Sequence, residues 1–99
     1  MKAQWNNKVI AQTDKENLIQ IEGNWYFPLE SVDKQYLTPS EKQTTCFWKG
    51  ESSYSNVVVD GKINEDAAWY YSKPKEGAIE KVGKDFTNYV SFWHGVEVS

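Results

Sequence analysis

The chain contains no arginine; all eleven of its basic residues are lysines. Arginine is the usual bidentate reader of guanine and clamp on phosphate, and no run of lysines forms a basic stripe in its place. With fourteen acidic residues the formal net charge is −3, which disfavours a nucleic-acid partner. A single cysteine, Cys46, excludes an internal disulfide framework and any zinc site built from cysteine pairs. A single histidine, His94, would need two or three carboxylates at matched geometry to hold a metal, so neither metal nor cofactor is expected. No apolar run reaches the length of a membrane span, and the opening stretch "MKAQWNNKVIAQTDK" lacks the apolar segment of a signal peptide. The expectation is a soluble, cytoplasmic chain with no membrane partner.

What the chain has in quantity is rings. Five Trp, six Tyr and four Phe make up 15% of its 99 residues, against a hydrophobic fraction of 39%. Large rings compensate for few aliphatics by the area each one buries. A chain of this length buries roughly 60–65% of the surface exposed by its unfolded form, enough to fold unaided. One domain over residues 1–99, with room for one core, is the expected organisation.

Short β-type runs separated by turn residues dominate the pattern. Asn6-Asn7 divides "QWNNKV" as a tight hairpin turn would, because Asn tolerates positive φ. In "NLIQIEG", Leu18 and Gln20 should face one side and Ile19 and Ile21 the other. A turn at Gly23-Asn24 leads into "WYF", and Pro28 stops that strand. "PLESVDKQYL" reads as one or two helical turns ending before Thr38-Pro39, with Glu30 in the first turn. Residues 39–45 are polar and read as a surface loop. "SYSNVVVDGKI" restores the β signal, and Asp60-Gly61 is the strongest hairpin turn in the chain. "DAAWYYS" follows, then a charged loop or short helix over 75–85. "NYVSFWHGVEV" closes the chain as one broken strand or a strand pair kinked at Gly95. About seven to nine short strands and one short helix predict a mainly-β, antiparallel architecture.

Four ordered segments, "YFPLESV" (26–32), "TTCFWKGESSYSNVVVDG" (44–61), "AAWYYSKP" (67–74) and "YVSFWHGVEV" (89–98), resemble the domain of unknown function 427 family over nearly the whole chain. One position departs from the family pattern: Phe47 stands where Pro is common. The resemblance implies a compact β-tent-like domain with one or two short helices, related to the B-type methionine sulfoxide reductases and the thalidomide-binding domain of cereblon. Many of those relatives hold zinc with two cysteine pairs, which Cys46 alone cannot do. An automatic nucleotidyltransferase label attaches to the family. The sequence gives it no support, lacking both a Gly-rich phosphate cradle and closely spaced aspartates after a Gly-Ser turn.

The residues that could carry function lie in two motifs. In "TTCFWKGESSY", Cys46 is either a thiol tuned by Lys49 or His94, or a small buried hydrophobe beside Phe47 and Trp48; the second fits a lone cysteine better. His94 and Glu30 could complete a hydrolase-like set with Cys46, but nothing in the sequence brings the three together. Glu30 as a first-turn carboxylate needs only the helix dipole to explain it. Lys49-Gly50 offers a point charge beside a backbone that allows close approach of a ligand. In "AAWYYSKP", alternation puts Trp69 and Tyr71 on one face and Tyr70 on the other. The leading expectation is therefore a small organic ligand held in an aromatic pocket of Trp48, Lys49, Gly50, Tyr54, Trp69 and Tyr71. A small thiol-dependent enzyme using Cys46 and a protein-interaction module are the alternatives.

Overall fold

A computed structural model describes all residues 1–99. The chain opens with β1 (Lys2–Trp5) and β2 (Lys8–Gln12), joined by Asn6 and Asn7 at φ 50° and 65°. Two consecutive positive φ values define the hairpin turn that the asparagines predict. The last strand, β9 (Glu97–Val98), returns to the other edge of β1, giving a three-stranded antiparallel sheet. A two-stranded hairpin follows from β3 (Ile19–Ile21) and β4 (Asn24–Tyr26). The main sheet holds β5 (Leu37–Cys46), β6 (Gly50–Val59), β7 (Lys62–Tyr70) and β8 (Val90–Phe92) in sequential antiparallel order. One α-helix, α1 (Ala78–Val82), lies in the crossover between β7 and β8. The architecture is mainly β, as expected, and no helix is long and apolar enough to cross a membrane.

The main sheet is buried on both faces, so the apolar residues form two groups where the chain length suggested room for one. Across β6, β7 and β8, the row Tyr54–Trp69–Ser91 faces one side and the row Ser55–Ala68–Phe92 the other. On the second side Phe27, Val57, Val59, Ala68, Val90 and Phe92 pack with Ala3 and Ile10 of the small sheet. On the first side Tyr54, Trp69 and Tyr71 pack with Ile19, Ile21, Tyr26, Ala78 and Phe86. A register shift between Ser55 and Val57 puts the extra residues on β7, where Ala68 pairs with Ser55 but Asn64 pairs with Val57. Simple alternation along β6 sends Tyr54 to one layer and Val57 and Val59 to the other. The bulge in β7 lets the adjacent Ala67 and Ala68 join the same group. Trp69 and Tyr71 share a face opposite Tyr70, and Ile19 and Ile21 are buried while Gln20 is exposed, as alternation predicts.

Two local readings are corrected. Residues 39–45 lie within β5, not in a loop. The segment is polar because β5 is an edge strand with most of its side chains in solvent, and Pro39 sits at its bulge, where a missing N–H is tolerated. The second hairpin turn is Glu22-Gly23, one residue earlier than expected, since Ile21 pairs directly with Asn24. Over 28–37 the helical turns expected before Thr38-Pro39 are present, as two single 3₁₀ turns, Leu29–Ser31 and Lys34–Tyr36, with extended residues between them.

Candidate functional site

The β5–β6 hairpin turns through Phe47, Trp48 and Lys49, with Cys46 paired to Gly50 across its neck. Gly50 closes the turn at φ +109°, and a Cβ there would stand 3.0 Å from the Lys75 nitrogen and 3.3 Å from the Lys73 carbonyl. Only glycine fits that conformation and that space. Lys75 fastens the turn from outside. Its backbone N–H donates to the Lys49 carbonyl at 2.8 Å and its Nζ donates to the Phe47 carbonyl at 2.8 Å. Phe47 itself points into solvent, 82% exposed.

Lys49 folds inward and is 6% exposed. Its Nζ donates to Oε1 of Glu22 in the β3–β4 turn, the one salt bridge in the molecule. The ammonium also lies 5.3 Å from the ring centre of Trp48 and 5.6 Å from that of Tyr71, within cation–π range of both. Lys81 of α1 brings a second ammonium to 4.6 Å from the Trp48 ring. Burial alone would lower the Lys49 pKa, but the Glu22 hydrogen bond and the negative potential of Tyr26 and Tyr71 outweigh it and raise it. Burial pushes the Tyr71 phenol up to about 12, with Tyr26 adding to the rise and Lys49 opposing it. Tyr26 is raised for the same first reason, against the hydrogen bond it accepts from Trp69.

Behind the lysine the rings continue along the sheet. Trp69 Nε1 donates to Tyr26 Oη at 3.0 Å, and Tyr54 lies beside Trp69 with ring centres 6.5 Å apart. The Tyr54 hydroxyl is 3.1 Å from Thr44 Oγ1, which is 2.6 Å from Ser52 Oγ, so these three hydroxyls partner one another. Trp93 extends the row, 5.2 Å from Trp69, with the Lys42 ammonium over both it and Tyr54.

The six residues expected at the site therefore belong to one neighbourhood, but in two layers. Tyr54, Trp69 and Tyr71 are buried in the aromatic group, while half-buried Trp48 and Gly50 form the turn above them. Cys46, half-buried, packs against the same group. His94 and Glu30 stand apart. His94 is exposed in the turn after β8, stacked on Trp93 at 4.2 Å, with its carbonyl accepting from Asn64. Glu30 lines a polar surface cleft of about 590 Å³ with Glu16, Lys84, Asp85 and Tyr89. Two smaller concavities, of about 270 and 290 Å³, lie elsewhere, and none of the three is lined by Trp48, Lys49 or Trp69. The hydrogen-bonding position at Lys49 Nζ is taken by Glu22.

Glu22 and Tyr26 are the partners that sequence reasoning missed. Glu22 lies twenty-seven residues from Lys49 and precedes a turn glycine, where a charged side chain normally signals only solvent. No pattern within the sequence links it to the later motif.

Fold and site together define a small antiparallel-β protein with a layered aromatic cluster beneath a buried lysine that pairs with a largely exposed carboxylate. A family model described as Domain of unknown function (DUF427) matches residues 1–98, and the chain belongs to that family. No curated protein matches the chain.

Proposed function

We propose that the protein binds a small organic ligand at the Trp48–Lys49–Gly50 turn. Lys49 anchors a polar or anionic group, Trp48 and Tyr71 contact the apolar body, and Tyr54 and Trp69 support the wall from behind. The observation that carries this reading is the placement of Lys49: an ammonium held out of water against two ring faces, with a single carboxylate that is itself 55% exposed. Burying an ammonium costs several kcal/mol, roughly, before pairing, and an apolar side chain of the same length would pack there at no such cost. A ligand that needs a fixed charge beside rings gives that expense a use. The unpaired Cys46 thiol supports a cytoplasmic setting for the same protein.

The test is native mass spectrometry of the purified protein for a retained small molecule, with Trp48→Ala and Lys49→Ala compared by circular dichroism. The expected result is that both variants fold and lose the bound mass. A wild-type protein that carries no small molecule and shows no melting shift with any of a panel of aromatic metabolites would overturn the reading. So would a Trp48→Ala protein that fails to fold, because Trp48 would then be core.

A further inference from the structure

The chain has fourteen carboxylates and eleven lysines, yet one ion pair forms, and it forms at the most buried lysine position. Its carboxylate does not come from the sheet that holds the rings. Glu22 sits at the tip of the β3–β4 hairpin with φ +53°, a conformation that non-glycine residues seldom adopt, and reaches in from a largely solvated position. The two ends of the pair are thus unequal: Lys49 is fixed by a clamped turn, whereas Glu22 rests on an exposed two-residue turn. Beyond the carboxylate, the Trp48 ring is half-buried and has the Lys81 ammonium close by.

We infer that Glu22 is an internal stand-in for the ligand's own charged group, and that the site takes small aromatic carboxylates by exchange for Glu22. This rests on the ligand-binding reading above and names its chemical class. The Lys49 ammonium between two ring faces calls for a negative charge attached to a flat apolar body. An incoming carboxylate replaces the Glu22 carboxylate at Lys49 Nζ, and its ring covers the Trp48 face. Glu22 then moves into water, where a carboxylate needs no partner. The charge on Lys49 is neutralised before and after the exchange, so the buried ammonium is never left bare. It also explains why rings and lysine coincide with no open cavity: the seat is occupied by the chain itself.

Benzoate and its neutral isostere benzamide are the probes, titrated into wild type and Glu22→Gln with tryptophan fluorescence as the readout. An internal competitor that holds the site most of the time weakens apparent affinity by about tenfold or more. Glu22→Gln is therefore expected to bind benzoate at least about tenfold more tightly than wild type, while benzamide binds weakly and equally to both. Unchanged or weaker benzoate binding by Glu22→Gln overturns the exchange. Benzamide binding as tightly as benzoate overturns the carboxylate class while the aromatic site itself stands. Failure of both proteins to bind either probe overturns the exchange too, and whether the underlying site stands is then read from the native mass measurement above. Should Glu22→Gln not fold, carboxyl-¹³C NMR of glutamate-labelled wild type serves instead. Saturating benzoate is expected to move the Glu22 resonance to the position of a free glutamate, and an unmoved resonance overturns the proposal.

Discussion

The indole N–H of Trp69 donates to the hydroxyl of Tyr26 at 3.0 Å, with the two rings at 89° to each other and 6.1 Å between centres. This edge-to-face contact ties β4 to β7 across forty-three residues of sequence and closes the aromatic layer beneath Lys49. Tyr26 is fully buried, so its hydroxyl has no water to fall back on. Trp69→Phe should cost about 1–3 kcal/mol by leaving that hydroxyl short of a partner, in addition to the lost ring volume. Tyr26→Phe leaves the indole N–H unpaired and should cost a similar amount. Urea unfolding of the two single variants and the double variant checks this: the double should lose less than the sum of the singles, because the second substitution removes a group already orphaned. Strict additivity would mean that the hydrogen bond contributes nothing.

Alkaline stability follows from the same layer. Tyr71 titrates at about 12 in the folded protein, and Tyr26 and Lys49 are also raised above their ordinary values. A group whose folded pKa is raised contributes stability that is complete below its unfolded pKa and is lost as pH climbs toward the folded value. For the tyrosines and Lys49 that window opens near pH 10, with a slope of at most about 1.4 kcal/mol per pH unit for each group. The urea midpoint should hold steady between pH 7 and 9 and fall steeply above 10. Tyr71→Phe should flatten part of that fall, and a profile with the same slope in the variant would rule out Tyr71 as its source.

Backbone geometry at the turn predicts a contrast between two glycines. Gly50→Ala combines a positive φ with a Cβ placed 3.0 Å from the Lys75 backbone nitrogen, so the clamp itself must shift. Gly23→Ala carries a positive φ but meets open space. The second should cost about 1 kcal/mol and the first more, about 2–4 kcal/mol, because steric displacement adds to the conformational strain. Melting temperatures rank the two directly, and equal losses would show that the Lys73–Lys75 segment yields without cost.

Cys46 offers a check on the thiol-enzyme alternative. Its half-buried position at the neck of the hairpin, packed against the aromatic group, predicts slow alkylation. Intact mass after timed iodoacetamide exposure should show native protein modified far more slowly than urea-unfolded protein. Native labelling as fast as the unfolded rate would bring the thiol chemistry back to the front.

The sequence by itself determined what depends on neighbours in the chain. Asn6-Asn7 and Asp60-Gly61 mark their hairpins because positive φ is a property of single residues and their immediate turn. Alternation in "AAWYYS" assigned Trp69 and Tyr71 to one face because a strand's period is local. The four motifs were enough to place the chain in its family. Tertiary structure decided the rest. Polar β5 became a strand only because β6 offered it an edge to pair with, and no local pattern reports an edge. The two-sided burial of the main sheet depended on β1–β4 and α1 covering it, which length and composition do not state. Trp48, Lys49 and Gly50 could be read in advance as one turn, but the partner of Lys49 could not. Glu22 meets it through packing of two hairpins, and a pairing across twenty-seven residues leaves no periodicity to read.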